Sequence, residues 1–270
     1  MKTKQCVYIT GGSSGIGLSL AKRYAQDGND VILLARSQNK LDDAVSICKT
    51  VAASAGQLIV GVSLDVSDIK NLQANMDRVT TEHGQPDLLI LSAGIAGNKT
   101  FLDMSSDEFD NMMTLNFSAS REMARCVLPA MLQRRSGQIA FISSMSGVMG
   151  VYGYSAYCAS KYAVTGFVQS LQQELLGTGV SATLVCPSEV ATPMIAAEAD
   201  NVLPQTRILK DLGGTLSPEK AADIIIKGIK KKKPMVITGF VANLFDFTNR
   251  VFPWLFRKIT QIIIWYSGRK

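Results

Sequence analysis

The sequence predicts an α/β protein in which one parallel sheet is covered by helices on both faces. Three observations predict it. Short apolar runs alternate with amphipathic stretches along most of the chain. The runs are apolar on both faces, as strands inside a parallel sheet are. The 270 residues contain no repeat, low-complexity tract or linker that would divide them into two domains.

The predicted strands and helices alternate along most of the chain. Six apolar runs are interpreted as strands, and a seventh is a candidate; they comprise residues 7–9, 31–34, 58–62, 88–91, 138–142 and 182–185, with 236–238 as the seventh. Helical patterns lie between them, at residues 16–26, 38–55, 68–82, 106–134 and 156–177. We predict one domain over 1–240, followed by a hydrophobic and basic amphipathic C-terminal extension over 241–270.

Residues 193–217 interrupt this alternation. Pro193, Pro204 and Gly213-Gly214 predict a mobile loop with a short helix. Such a segment lies beyond the carboxyl ends of the last strands, where ligands bind in this architecture. A substrate lid is therefore favoured over a plain irregular connection.

Composition excludes several classes of protein. Hydrophobic residues make up 47% of the chain and charged residues 19%, which is the balance of a folded protein. The five cysteines are dispersed and His83 is the single histidine, so we expect reduced thiols and no metal site. The apolar pattern begins after five residues without a secretory signal, so we expect a cytoplasmic protein.

A glycine-rich turn follows the first predicted strand and opens the first helix. Glycines allow a tight turn and a close approach of the backbone to a pyrophosphate, and a helix N-terminus supplies N–H groups and a favourable dipole. This placement predicts a dinucleotide site and a Rossmann-type, doubly wound sheet. The residues predicted to bind the cofactor in this turn are Gly11, Ser13, Ser14, Gly15, Ile16 and Gly17.

Charge at the end of the second strand predicts which dinucleotide binds. A carboxylate there accepts from the ribose 2′-hydroxyl of NAD. This chain has Ala35 followed by Arg36, with Lys40 nearby, so we predict that a 2′-phosphate, and hence NADP(H), is bound. Asp65-Val66, after the third strand, is placed to contact the adenine, although Asp65 taken alone is equally an N-cap.

Tyr157 and Lys161 lie one helical turn apart on the same face. A phenol has a pKa near 10, and we expect the adjacent ammonium to lower it, so that Tyr157 protonates a substrate oxygen. Ser144, 13 residues earlier, is predicted to stabilise the developing alkoxide. Ser143 is the neighbouring alternative, and Ser144 is favoured by its expected orientation.

These motifs resemble those of the classical short-chain dehydrogenases/reductases, over about residues 5–240. The resemblance implies that Asn116 holds a water next to Lys161 in a proton relay. It also implies a homo-oligomer, and it places Ala93, Gly94, Val190 and Thr192 at the cofactor. Two departures are Ser92 in place of an asparagine and Ser188 in place of a glycine; the second leaves the geometry beside the nicotinamide open.

Within that family the chain is most similar to the 3-ketodihydrosphingosine (3-ketosphinganine) reductases. The similarity lies in Arg36 and Lys40, the run Phe141 to Gly147, and Ala191-Thr192-Pro193, with further matches in 203–207 and 217–219. It implies NADPH-dependent reduction of 3-ketosphinganine to sphinganine. Because that ketone carries an amine, Glu189 and Glu198 are candidates to pair with it. The rivals are a reductase of another lipophilic carbonyl (steroid, retinal or 3-oxoacyl) and a non-catalytic NADP-binding regulatory protein.

The C-terminal fifth of the chain suggests a lipid environment. Residues 220–270 carry a net charge of +9, against −3 for the remainder. The last part of this range is rich in apolar and aromatic residues. Its longest stretches without a charged residue are only about a dozen residues long, which is too short to span a bilayer. A peripheral helix on the cytosolic face of a membrane is favoured, with Arg257, Lys258, Arg269 and Lys270 near the headgroups. Packing on the core or on a second subunit is the alternative, and no nucleic-acid partner is expected.

Overall fold

The computed structural model describes residues 4–198 and 202–267. Strands β1 to β9 comprise Cys6–Thr10, Asp30–Ala35, Ile59–Ser63, Leu88–Leu91, Gly137–Ile142, Val180–Cys186, Glu189–Val190, Thr215–Leu216 and Met235–Ile237. Helices α1 to α11 comprise Gly15–Gln26, Gln38–Thr50, Leu72–His83, Ser106–Met113, Ala119–Gln133, Ser155–Glu174, Pro193–Glu198, Pro204–Gly213, Pro218–Lys230, Phe240–Val251 and Pro253–Ser267. A π-helical turn, Thr114–Ser118, joins α4 to α5, and a 3₁₀ turn, Met145–Gly147, follows β5.

Seven strands form one parallel sheet in the order β3-β2-β1-β4-β5-β6-β9. The chain winds outward from β1 to β3, returns to place β4 on the other side of β1, and continues outward from there. This is a doubly wound sheet, so the predicted fold class is confirmed. Its switch point lies between β1 and β4, where the connections that follow the two strands run to opposite faces of the sheet and leave a crevice for ligands.

Successive side chains of each strand point to opposite faces of the sheet, where they pack into two separate hydrophobic cores. In β1, Tyr8 packs on one face of the sheet, and Val7 and Ile9 pack on the other. All three side chains are fully buried. Burial on both faces explains why the central strands are continuously apolar in sequence.

Three predicted helices differ at their boundaries because of polar contacts. The helix predicted over 38–55 ends at Thr50, and the following backbone turns so that Ala53 N–H donates to the Ala25 carbonyl. The helix predicted from 68 begins at Leu72, since side-chain hydrogen bonds organise tight turns before it. The helix predicted over 106–134 is interrupted by the π-helical turn around Asn116.

Residues 193–217 are more regular than predicted. The described part of this segment contains two helices, α7 and α8, and strand β8, which pairs with β7. Pro193 and Pro204 occupy the first position of α7 and of α8. A proline there costs no hydrogen bond, so these prolines begin helices instead of marking irregular chain.

The C-terminal extension forms a hairpin of two helices, α10 and α11, hereafter the C-terminal hairpin. Phe245 of α10 packs edge-on against Phe256 of α11, with ring centroids 6.1 Å apart. Both helices also contact α8. Within residues 4–198 and 202–267, no helix is long and apolar enough to cross a bilayer. Arg269 and Lys270, which were expected near lipid headgroups, lie outside the described residues.

Candidate active site

The glycine-rich turn is held in a conformation that side chains would prevent. Gly11 has φ of +65° and Gly15 has φ of +54°, a region that favours glycine. A Cβ on Gly17 would lie 2.3 Å from the carbonyl oxygen of Gly11. The backbone therefore folds back on itself at the start of α1. Gly11, Ser14, Gly15, Ile16 and Gly17 line a cleft, whereas Ser13 is not in its lining.

The loop after β4 closes the floor of this turn. Thr10 Oγ1 accepts hydrogen bonds from the backbone N–H groups of Ser92 and Ala93, at 3.0 and 3.1 Å. A Cβ on Gly11 would lie 3.0 Å from the Ala93 backbone. Thr10 thus ties β1 to β4 at the switch point. Sequence reasoning missed its role, although a polar residue at the end of an apolar strand was a signal.

Ser144 and Tyr157 meet in the cleft. Ser144 follows β5, and its hydroxyl oxygen accepts from Ser146 N–H at 3.1 Å. Tyr157 lies in the first turn of α6, and its hydroxyl is close enough to Ser144 for the serine side chain to lower its pKa. Both residues line the cleft. Ser143 is buried instead, and its hydroxyl donates to the Lys161 carbonyl at 3.0 Å. The geometry therefore favours Ser144, as the spacing predicted.

Lys161 is buried beneath Tyr157 on the same helix. Its ammonium donates to the Ile142 carbonyl at 3.0 Å and lies 5.7 Å from the centre of the Tyr157 ring. A Cβ on Gly94 would approach Lys161 Nζ to 3.6 Å and Asn116 Oδ1 to 2.9 Å. Only glycine at residue 94 leaves room where these two side chains converge.

Asn116 is turned inward by the π-helical turn. Its side-chain amide pairs with both backbone groups of Ile95, accepting from N–H at 2.8 Å and donating to the carbonyl at 2.9 Å. It also donates to Ser160 Oγ at 2.9 Å. These bonds join α6 to the loop after β4. The water relay expected for Asn116 remains a prediction.

Burial changes the electrostatics from what the sequence suggested. Desolvation raises the pKa of Tyr157 to about 12, while the hydrogen bond from Ser144 opposes the rise. Desolvation also lowers the pKa of Lys161 to about 8. The expectation that Lys161 lowers the Tyr157 pKa is therefore wrong for this structure. Both shifts have one cause, since a low-dielectric wall penalises the charged form of each group. Tyr157 is consequently protonated at neutral pH and is a proton donor.

The residues predicted to bind the adenosine half lie outside the deep cleft. Arg36 and Lys40 are exposed just after β2. The Asp65 carboxylate accepts from both the backbone N–H and the hydroxyl of Ser67, and these bonds, with Arg36 nearby, hold its pKa below the usual value. Val66 is buried beside it. Asp65 therefore organises a turn, and α3 begins only at Leu72.

Val190 and Thr192 approach the cleft from the opposite side. Both line it, and Thr192 faces Gly15, where an added Cβ would contact the threonine at 3.2 Å. Ser188, which departs from the family pattern, is anchored by its N–H donating to Thr238 Oγ1 at 3.0 Å. This bond ties the loop after β6 to the end of β9.

The cleft continues past Tyr157 into a region that sequence reasoning largely missed. Its wall includes Ala242 and Phe245 from the C-terminal hairpin and Lys210 from α8. Tyr154, one helical turn before Tyr157, also lines it, with the two rings 5.4 Å apart. The spacing of the two tyrosines was a usable signal, whereas nothing local marked Lys210 or Phe245. Glu189 and Glu198, both suggested from sequence, do lie here.

Comparison with known proteins identifies the family. The family described as short chain dehydrogenase matches residues 5–202. The chain belongs to the short-chain dehydrogenases. It is therefore an NAD(P)-dependent oxidoreductase, which removes the non-catalytic alternative.

Relatives of this short-chain dehydrogenase include several kinds of reductase. It is 32% identical to the 3-dehydrosphinganine reductase of Danio rerio over 222 residues, which are 82% of this chain and 67% of that protein. It is 33% identical to the ketoacyl reductase HetN of a Nostoc strain, over 88% of this chain and 79% of the other. A short-chain dehydrogenase from Sphingobium yanoikuyae in complex with NADPH superposes with a TM-score of 0.78 at 25% identity, covering 93% of this chain and 94% of that one.

The cleft of this dehydrogenase fits a nicotinamide dinucleotide. Gly11, Gly15, Gly17 and Gly94 line the cleft without placing a side chain in it, and the N-terminus of α1 faces it. Gly15, Ile16, Ala93, Val190, Thr192 and Lys161 are the residues that would hold the cofactor. When bound, the cofactor supplies or accepts the hydride. The chain's own residues fit the other half of such a reaction: the Ser144 and Tyr157 hydroxyls could orient a carbonyl oxygen, and Tyr157 could give it a proton.

Proposed function

We propose that this enzyme reduces the ketone of 3-ketosphinganine to the alcohol of sphinganine, using NADPH. The apolar wall beyond the Tyr157 hydroxyl carries the proposal. This wall is built from methionine and other large apolar side chains of four separate segments, an arrangement suited to an alkyl chain. Its members are Met145, Met149, Val151, Met194, Leu209 and Phe245.

Two further observations support the substrate and the cofactor. A relative named 3-dehydrosphinganine reductase is 32% identical over 82% of this chain. Arg36 and Lys40 are exposed where a ribose phosphate would lie, without a carboxylate at the end of β2. A cation at this position favours NADPH over NADH.

One rival is supported by a specific observation. The similarity to a ketoacyl reductase, at 33% identity, favours a 3-oxoacyl group as substrate. Both candidate substrates place an alkyl chain against the same apolar wall. They differ next to the ketone, where 3-ketosphinganine carries an amine and a 3-oxoacyl thioester does not.

The decisive experiment is NADPH oxidation with 3-ketosphinganine, a steroid ketone and a 3-oxoacyl thioester measured in parallel. We expect the wild-type enzyme to turn over 3-ketosphinganine. The Tyr157→Phe variant should have no turnover but should still bind NADPH, because only the transferable proton is removed. A run with NADH tests the cofactor preference.

Tyr162→Phe is the matched control, since Tyr162 lies on the same helix but is exposed. It should retain wild-type turnover. Activity that survives in Tyr157→Phe would contradict the mechanism. If only the steroid ketone or the 3-oxoacyl thioester were turned over, 3-ketosphinganine would not be the substrate.

We also propose that the C-terminal hairpin rests on an anionic membrane surface and that the enzyme is a homo-oligomer. Phe240, Phe247 and Trp254 are 84%, 57% and 68% exposed. Arg257 and Lys258 are exposed on the same hairpin. Aromatic and basic side chains together suit the interface between lipid headgroups and water.

A further inference from the structure

A buried charged cluster lies beside the proposed proton donor, and the reaction of a simple ketone does not use it. The cluster consists of Glu189, Glu198, Lys210 and Tyr154, all of which line the cleft. The side chains of Glu189, Glu198 and Lys210 are 9%, 10% and 11% exposed. Charged groups so far from solvent are costly unless they are fully paired.

Lys210 cannot satisfy both carboxylates. Its ammonium lies 2.7 Å from Glu189 Oε2 and donates to the Tyr154 hydroxyl at 3.2 Å. It is 3.8 Å from Glu198 Oε2, beyond hydrogen-bond distance. Glu189 also accepts from the Thr215 hydroxyl at 3.0 Å. Glu189 is thus the carboxylate that Lys210 neutralises.

One carboxylate oxygen of Glu198 lacks a hydrogen-bond donor. Its Oε2 accepts from the Tyr154 hydroxyl at 2.9 Å, but its Oε1 is buried and has no hydrogen-bond partner. Burial raises the pKa of Glu198, because its carboxylate form has lost solvent and gained only one hydrogen-bond donor. An ammonium group would supply both a donor for Glu198 Oε1 and a compensating positive charge.

The cluster lies next to Tyr157 in the cleft. The Tyr154 ring lies against the Tyr157 ring, at 5.4 Å between centroids, and the Tyr154 hydroxyl holds Glu198. The negative charge of Glu198 reaches Tyr157, whose pKa it helps to raise. The carboxylate thus stands one tyrosine side chain away from the group that would protonate the ketone.

We propose that Glu198 binds the protonated amine of a 2-amino ketone and so selects amino ketones over neutral lipophilic ketones. This inference rests on the proposed function for the class of ketone and adds the residue that recognises the amine. Lys210 and Glu189 form the fixed ion pair behind it, and Tyr154 orients the Glu198 carboxylate.

Binding of product analogues tests this separately from turnover. The enzyme is titrated calorimetrically, in the presence of NADP⁺, with sphinganine and with octadecane-1,3-diol, which lacks the amine. We expect wild-type enzyme to bind sphinganine about tenfold or more tightly than the diol, since a hydrogen bond to a charged group contributes at least that factor. Equal affinity of the wild-type enzyme for the two compounds overturns the proposal.

Two variants locate the recognition. Glu198→Gln keeps an oxygen for Tyr154 but removes the charge, so the preference for sphinganine should fall about tenfold. Glu189→Gln frees Lys210 to pair with Glu198, so the preference should also fall. Glu174→Gln, an exposed glutamate on α6, is the matched control and should keep the wild-type ratio.

The outcomes separate the two proposals. An unchanged ratio in whichever of the two cluster variants folds, judged by its melting temperature, overturns the role of Glu198. Sphinganine binding that depends on Glu198 supports the inference, even if 3-ketosphinganine is not turned over. In that case only the proposed reaction fails.

Discussion

Tyr157 and Lys161 share one apolar wall, and the wall moves their pKa values in opposite directions. Tyr157 is held protonated, with a pKa of about 12, and Lys161 is brought to about 8. The protonated phenol suits reduction, in which a proton is given to oxygen. The lysine, by contrast, is kept buried at a cost to stability, as functional groups often are.

Replacing this lysine should therefore stabilise the protein while inactivating it. The pKa of Lys161 falls from its ordinary 10.5 to about 8 on folding, a shift that corresponds to roughly 3 kcal/mol at pH 7. The lost hydrogen bond to Ile142 offsets about 1 kcal/mol of that gain. We expect Lys161→Met to raise the melting temperature at pH 7 by several degrees.

The sign of the pH dependence provides the check. Between pH 8 and 10.5 the unfolded chain binds a proton that the folded chain has released, so wild-type stability from this group rises with pH. The advantage of Lys161→Met in thermal denaturation should therefore shrink over that range. Lys70→Met, at an exposed position, should show no advantage at any pH. A lower melting temperature of Lys161→Met at pH 7 would contradict this account.

At the scale of elements, the turn between β1 and α1 depends on glycine because it leaves no room for a Cβ atom. The Gly17 Cα faces the Gly11 carbonyl so closely that a Cβ there would lie at 2.3 Å. No side chain tolerates that distance, so the turn must open if the residue is changed. The cradle for the dinucleotide is consequently sensitive to a single added methyl group.

Gly17→Ala should weaken NADPH binding at least about tenfold, because the opened turn misplaces the N–H groups of the α1 N-terminus. Fluorescence titration with NADPH measures this directly. Gly166→Ala is the matched control: Gly166 is exposed within α6, and an added Cβ meets no atom within 4 Å. That variant should bind NADPH normally and gain about 0.5–1 kcal/mol in stability. Wild-type affinity in Gly17→Ala would contradict the role assigned to the turn.

One side of the C-terminal hairpin faces the cleft, and the other side is exposed. Phe245 and Ala242 face the cleft, and Asn249 donates to the Val148 carbonyl at 2.9 Å, which joins α10 to the loop after β5. Phe247 and Trp254 are exposed. The hairpin thus completes the apolar wall of the cleft and also presents apolar surface to the outside. Packing on the core and contact with lipid, posed as alternatives from sequence, are compatible.

At the scale of the whole molecule, positive charge is concentrated in the C-terminal part of the chain. Residues 220–270 carry +9, and the remaining 219 residues carry −3. In the membrane proposal, this positive charge would draw the C-terminal part of the chain toward an anionic surface before any contact forms. A lipid substrate would then reach the cleft through the helices that face the bilayer.

The membrane proposal predicts binding to vesicles. Wild-type enzyme should sediment with vesicles containing phosphatidylserine, less so at high salt, because screening weakens the attraction. The double variant Phe247→Ser/Trp254→Ser should reduce sedimentation by about tenfold or more, since two large apolar side chains no longer enter the interface. Leu176→Ser, at a 75% exposed apolar residue outside the hairpin, is the control and should sediment like the wild type.

Sedimentation velocity on the same proteins distinguishes the alternative partner. If the hairpin is a subunit interface, the double variant should change the oligomeric state without affecting vesicle binding. That result would contradict the membrane proposal and support an interface between copies of the chain.

The alternation of strands and helices, the glycine-rich turn and the Ser144, Tyr157 and Lys161 set could be predicted because each is encoded over short distances in sequence. Strands buried on both faces are apolar throughout, a tight turn needs glycine, and residues four apart in a helix share a face. These constraints act locally, so the sequence by itself determined the fold class and the family.

Only the tertiary structure decided how the charges of the site are arranged. Lys210 meets Tyr154 across 56 positions and Glu198 meets Tyr154 across 44, and no local pattern marks such pairs. The direction of the Tyr157 pKa shift likewise depends on burial by the elements around it, so an adjacent lysine was an incomplete guide. The physical reason is that desolvation and ion pairing depend on everything packed around a group, and packing joins segments far apart in the chain.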